Sequence, residues 1–264
     1  MSQRSIREIP VIKVSAAKRE EKLDRVAVES PLTIILNGRE FITLLCSPED
    51  MEFLAVGFLR SEGIIAGKDD LESVSYDPEE GHVAVKTRKG GSLAEKLYGK
   101  RTLTSGCGKG TIFFNVLDSL KSRPLTQEVP VTPEELIQLV RMLQERGQTF
   151  KETGGVHSAA LCSREGIVLF SEDIGRHNAV DKIVGQSLME GISLEDKLLV
   201  TSGRISSEIL LKAGKLGIAL IASRAAPTTL SVELAEKLGI TLVGFLRAGR
   251  MNLYAHAWRL EQVY

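Results

Sequence analysis

Cysteine is scarce in this chain of 264 residues, with three in all: Cys46, Cys107 and Cys162. An odd, unpaired count excludes a disulfide framework and suits a reducing compartment, so the expected location is the cytoplasm. Charge of one sign is missing as well, since 34 basic residues balance 34 acidic ones. A chain with no net charge is not a polyelectrolyte binder, and no nucleic-acid partner is expected. Long apolar runs are absent. The stretch 217–222, GIALIA, is far too short to cross a bilayer, and no membrane association is expected. The opening MSQRSIREIPVIKV lacks the apolar region of a secretory signal.

What is present is a 43% hydrophobic chain, long enough for one large domain or two modest ones. Residues 9–14 and the charged run 18–22 read as a strand or arm followed by a solvated turn. Strand-forming segments 32–36 and 41–45 flank Asn37-Gly38, the signal of a type I′ hairpin. Ser47-Pro48-Glu49-Asp50 predicts a helix start, with Ser47 as N-cap and Pro48 in the first position. Met51, Leu54, Ala55, Phe58 and Leu59 form one apolar stripe, and Gly63 is placed to end that helix. Short strands are expected at 73–76 and 83–87.

Residues 99–111 are Gly-rich, basic and aperiodic, and predict a loop. Pro124 and Pro130 mark a linker. Thr132 and Glu135 then form a capping box ahead of the apolar face Leu136, Leu139, Val140 and Leu143. Beyond it strands are expected at 157–162, 166–171, 197–201, 218–222 and 240–245. Helices are expected at 179–188, 206–216 and 227–238, with an extended tail at 252–254. This order implies helices on both faces of a mixed sheet. The expected domains are a small α+β unit over 1–125 and an α/β unit over 126–264.

Four stretches could carry chemistry. Cys107 lies in Ser-Gly-Cys-Gly-Lys-Gly beside Lys109 and near Arg101, where cations and open backbone favour a thiolate; an incidental loop thiol fits the context equally well. Cys46 and Cys162 sit in apolar, strand-like surroundings and read as inert core. Residues 171–182 gather Glu172, Asp173, Arg176, His177, Asn178, Asp181 and Lys182 around a strand-to-helix turn. That is either a ligand site with His177 as proton shuttle or a solvated turn with local ion pairs. Thr201-Ser202-Gly203-Arg204 is either an anion site of exposed amides or an ordinary helix cap. Phe245-Leu246-Arg247-Ala248-Gly249-Arg250 is either a phosphate-gripping arginine pair or a surface turn. No metal site is expected. There is no C-x-x-C pair, and neither His157 nor His177 is followed by Glu at the second position.

The segment GGVHSAA (154–160), the segment EDIGRHNAVDK (172–182), TSGRIS (201–206), APTTL (226–230) and FLRAGRMN (245–252) closely resemble the signature of the formate dehydrogenase accessory sulfurtransferase family, FdhD/NarQ. The resemblance implies a cytidine-deaminase-like α/β/α sandwich with a mixed sheet in the C-terminal part, beside the smaller N-terminal α+β domain. It implies a sulfur carrier that takes persulfide sulfur from a cysteine desulfurase. The sulfur then passes to a bis-molybdopterin guanine dinucleotide cofactor of molybdenum or tungsten, before insertion into the formate dehydrogenase catalytic subunit. A homodimer and no zinc are also implied.

Carried onto this chain, the resemblance makes Cys107 the persulfide carrier, with Lys109 holding its thiolate and His177 donating a proton or orienting the ligand. The cofactor would be bound by Arg176, Ser202, Gly203, Arg204, Phe245, Leu246, Arg247, Ala248, Gly249 and Arg250. One departure is visible. Many members carry a Cys-x-x-Cys loop, and here the matching stretch is Thr104-Ser105-Gly106-Cys107. A single thiolate can still carry a persulfide. Two alternatives stand beside this reading: a chaperone that delivers the cofactor without moving sulfur, and a deaminase-like nucleotide hydrolase.

Overall fold

A computed structural model describes residues 5–88 and 124–261. Strands β1 (Ile6–Val14) and β2 (Arg19–Ala27) pair antiparallel as a separate two-stranded arm, so the charged run 18–22 lies mostly in a strand and not in a turn. The next hairpin joins β3 (Ser30–Leu36) to β4 (Arg39–Cys46) through Asn37 and Gly38, whose φ values of 51° and 78° are those the type I′ turn requires. With β5 (Leu71–Asp77) and β6 (His82–Thr87) these strands form a four-stranded sheet in the order β4-β3-β6-β5.

Helix α1 (Met51–Ser61) covers that sheet, and its start differs from expectation. Asp50, in the left-handed region at φ 55°, is the N-cap and provides no side-chain cap bond. Ser47 is drawn away by a distant partner: its N–H donates to Asp173 Oδ2 at 3.0 Å, and its Oγ accepts from the Ile174 N–H at 3.1 Å. Gly63, at φ 77°, does close the helix, and Ile64 N–H returns to Leu59 O.

Residues 124–130 have no regular secondary structure and are tied to the body. Leu125 N–H donates to Leu238 O, and the buried Arg259 donates to Leu125 O and Gln127 O. Helix α2 (Pro133–Arg146) starts at the expected capping box, with Thr132 and Glu135 bonded reciprocally. A short helix α3 (Gln148–Thr153) follows that no local signal announces, because its cap is remote: Glu172 accepts from the Thr149 and Phe150 N–H groups.

The remaining elements alternate as anticipated. They are β7 (His157–Ser163), β8 (Gly166–Asp173), α4 (Arg176–Glu190), β9 (Leu198–Thr201), α5 (Ser207–Lys215), β10 (Leu220–Ser223), α6 (Thr229–Leu238), β11 (Thr241–Arg247) and β12 (Arg250–Ala255). They form a six-stranded mixed sheet, ordered β12-β11-β10-β9-β7-β8, in which β9, β10 and β11 are parallel. One face packs on α4, α5 and α6, and the other on α2. Among the described residues no helix is long and apolar enough to cross a membrane.

Helices α1 and α4 cross at near-contact distance. A Cβ added at Gly57 would lie 1.7 Å from Asp181 O, and one at Gly185 would lie 1.9 Å from Phe53 O. Below this crossing, Asp181 accepts from Ser61 Oγ at 2.6 Å and pairs with Lys212 at 2.7 Å. The α1–α4 contact thereby joins the four-stranded sheet to the six-stranded one.

Candidate functional site

The carboxyl ends of β9, β10 and β11 form one edge, the place where open α/β sheets take ligands. Backbone hydrogen bonds lace the loops there together. Arg224 N–H donates to Thr201 O, Ile205 N–H to Ala226 O, Thr228 N–H to Ile205 O, and Phe245 N–H to Ala225 O. The first turn of α4 closes this edge on the β7 side, since any side chain at Gly203 would meet Arg176 Cβ at 2.9 Å and His157 Nδ1 at 3.4 Å. Glycine at 203 is therefore required by close packing.

The signature segment 172–182 is not the solvated turn that its charge density suggests, since Asp173, Asp181 and Lys182 are buried. Asp173 is fully buried and accepts from Ser47 N–H, Gly175 N–H (2.8 Å), Asn178 Nδ2 (2.9 Å) and Lys182 Nζ (2.8 Å). Lys182 and Asp181 are equally sealed, and Glu172 caps α3. These residues weld the chain together. Arg176 and His177 are left near the edge.

His177 Nε2 lies 3.1 Å from Ser206 Oγ and 3.5 Å from Glu208 Oε2. Burial, with Lys212, Arg176 and His157 adding, pushes its pKa down to about 2. It is a neutral hydrogen-bonding group, which fits orientation better than proton donation. His157 is held below its ordinary value by burial, then by Arg176 and Arg204, so the surroundings are electropositive.

At 201–204 the Ser202 and Gly203 amides are taken. Ser202 N–H donates to Ser158 O, Gly203 N–H to Thr201 Oγ1, and Ser202 Oγ accepts from Ser158 N–H. Helix α5 begins later, capped by Ser206. Anion affinity on this loop falls to the exposed Arg204 side chain.

Residues 245–250 form a tight hairpin. Ala248 and Gly249, at φ 51° and 72°, make a two-residue turn that sets Arg247 directly opposite Arg250. Like charges facing across a ladder repel, and no carboxylate pairs with either among the described residues. An oxyanion between them would relieve that repulsion. The Arg247 guanidinium rests over the Phe245 ring at 5.5 Å, and Phe245 itself has a left-handed backbone at φ 51°. Leu246 is buried in the core at 1% exposure and lines the cavity behind the hairpin. A cavity of about 130 Å³ lies between this hairpin and α2, lined by Arg141, Gln144, Arg247 and Ala248 among others.

Cys107 and Lys109 lie outside the described residues. Cys46 and Cys162 are wholly buried, and burial pushes both thiols up to about 12. Among the described residues no group of His, Cys, Asp and Glu is arranged to hold a metal ion. Sequence reasoning missed Arg224, although it stands at the carboxyl end of an apolar strand as Arg204 and Arg247 do, and that shared placement was the available signal.

Comparison with known proteins places the chain in context. The model of the FdhD/NarQ family matches residues 27–261. A Bacillus subtilis protein named sulfur carrier protein FdhD is 45% identical over 90% of this chain and 91% of its own length. A Geobacillus kaustophilus protein of the same name is 42% identical over 95% of each. A crystal structure from Desulfotalea psychrophila, assigned as a formate dehydrogenase accessory protein, superposes with a TM-score of 0.80 at 25% identity. It covers 98% of this chain and 100% of that one.

Proposed function

The chain belongs to the FdhD/NarQ family, and on that premise we propose that it is a sulfur carrier for formate dehydrogenase maturation. Cys107 accepts sulfur from a cysteine desulfurase. Its thiolate attacks the outer sulfur of the donor persulfide, a new S–S bond forms on Cys107, and the desulfurase thiolate leaves. Lys109 holds the Cys107 thiolate by its charge. The acceptor substrate is the molybdenum or tungsten bis-molybdopterin guanine dinucleotide, destined for the formate dehydrogenase catalytic subunit.

The observation that carries this reading is the state of the other two thiols. Cys46 and Cys162 are wholly buried with pKa values near 12, so neither supplies a thiolate at neutral pH. The acceptor's diphosphate chemistry fits the sheet edge. Arg247 and Arg250 face each other with no carboxylate partner among the described residues, and Arg204 is exposed on the β9 loop. In this reading the α/β/α unit takes a cytidine-deaminase-like arrangement with arginines in place of metal ligands, and the protein acts in the cytoplasm as a homodimer.

The test is intact mass after incubation with cysteine and a cysteine desulfurase, repeated after reductant. The expected result is a reductant-sensitive gain of one sulfur atom, lost in Cys107→Ser and kept in Cys162→Ala. A gain that survives Cys107→Ser would overturn the assignment. No gain at all, with guanine-nucleotide binding intact, would make the protein a cofactor chaperone.

A further inference from the structure

Arg224 stands at the centre of the sheet edge and has no role in the reading above. It directly follows β10, the strand between β9 and β11, so the loops bearing Arg204 and Arg247 flank it. Its backbone is fixed. Arg224 N–H donates to Thr201 O, and the preceding Ser223 Oγ donates to Gly203 O at 2.6 Å while accepting from Ala225 N–H at 3.0 Å.

The half-buried side chain differs from the sealed cations of the fold. Lys182 is paired with Asp173, Lys212 with Asp181, and Arg259 donates to Leu125 O, Gln127 O and Thr241 Oγ1. Arg224 Nε is sealed from solvent and has no acceptor among the described residues. Among the described residues no carboxylate pairs with Arg224 or Arg204. A buried donor on a charged group without an acceptor is a standing penalty. The fold retains it at an edge where Arg204 and Arg247 also lack acids among the described residues.

We propose that Arg224 is a ligand-binding arginine whose guanidinium contacts the diphosphate oxygens of the bound nucleotide, between the Arg204 and Arg247 loops. This rests on the sheet edge being the nucleotide site of the proposed function. An arginine on a rigid loop, half-buried with its Nε already sealed from water, gains a charge-assisted bond when an oxyanion arrives. The recognised chemistry is a phosphate or diphosphate oxyanion, whether of a nucleotide or of a free anion.

Isothermal titration of wild type and Arg224→Gln with GDP, inorganic pyrophosphate and guanosine tests it, beside thermal melts without ligand. Arg224→Gln should weaken GDP and pyrophosphate binding by at least about tenfold, the loss of one hydrogen bond to a charged group. Guanosine binding should be unchanged, and Arg224→Lys should recover only part of the loss. The unliganded variant should melt no lower than wild type, because no native partner is removed. Binding of GDP by wild type and Arg224→Gln alike would overturn the inference and leave the proposed function standing, as would a marked fall in melting temperature without ligand. A wild type that binds neither GDP nor pyrophosphate would instead bring down the nucleotide site itself, and this inference with it. A loss confined to GDP, with pyrophosphate unaffected, would show a contact to the base or sugar and overturn the diphosphate assignment.

Discussion

Asp173→Asn removes one charge from the centre of the junction between the two larger sheets. Asp173 is fully buried, and its Oδ2 meets Ser47 N–H at 3.0 Å and Lys182 Nζ at 2.8 Å, while Oδ1 meets Gly175 N–H and Asn178 Nδ2. An asparagine can keep its oxygen toward Gly175 and Asn178. Its NH₂ group then faces two donors, and Lys182, 1% exposed, is left charged with only the carbonyls of Ser47 and Glu172 at 3.3 and 3.4 Å. Breaking a buried pair from one side costs about 3–5 kcal/mol, a large part of a typical total of about 5–15 kcal/mol. Urea unfolding followed by circular dichroism measures it, and the double variant Asp173→Asn/Lys182→Met should regain more than half of the loss. A single-variant loss below about 1 kcal/mol, or a double variant no better than the single, would refute the reasoning that the unpaired ammonium dominates.

Two further outcomes follow from the same geometry. Gly185→Ala places a methyl 1.9 Å from Phe53 O, a backbone atom that cannot move alone. Helix propensity favours alanine by about 1 kcal/mol, and the forced separation of α1 and α4 should exceed it, lowering stability by about 2 kcal/mol or more. A melting temperature at or above that of wild type would show that the crossing is loose. His177 has a folded pKa near 2 against an ordinary 6.5, so its stabilising contribution is complete above pH 6.5 and declines as pH falls toward 2. The slope is at most about 1.4 kcal/mol per pH unit, and His177→Asn should remove it. Equal falls in urea stability between pH 6.5 and 5 for both proteins would place the titration elsewhere.

Local chemistry settled much of this molecule. Asn37-Gly38, the Thr132–Glu135 capping box, the closing Gly63 and the order of strands and helices after residue 156 were all legible, because each depends on residues within about one turn of each other. The short signature stretches, including EDIGRHNAVDK, also sufficed to place the chain in its family. Tertiary contact decided the rest. Ser47 left its expected cap for Asp173, and Glu172 raised α3 where no local signal stood. The charged signature became a buried weld because its partners, Ser47, Ser61 and Lys212, arrive from other elements. The same distance in sequence concealed the site. Only the sheet's strand order brings Arg224 between the Arg204 and Arg247 loops, and only burial separates the core leucine Leu246 from the exposed arginine beside it. Burial and charge pairing depend on which remote residues meet, and a linear pattern does not carry that information.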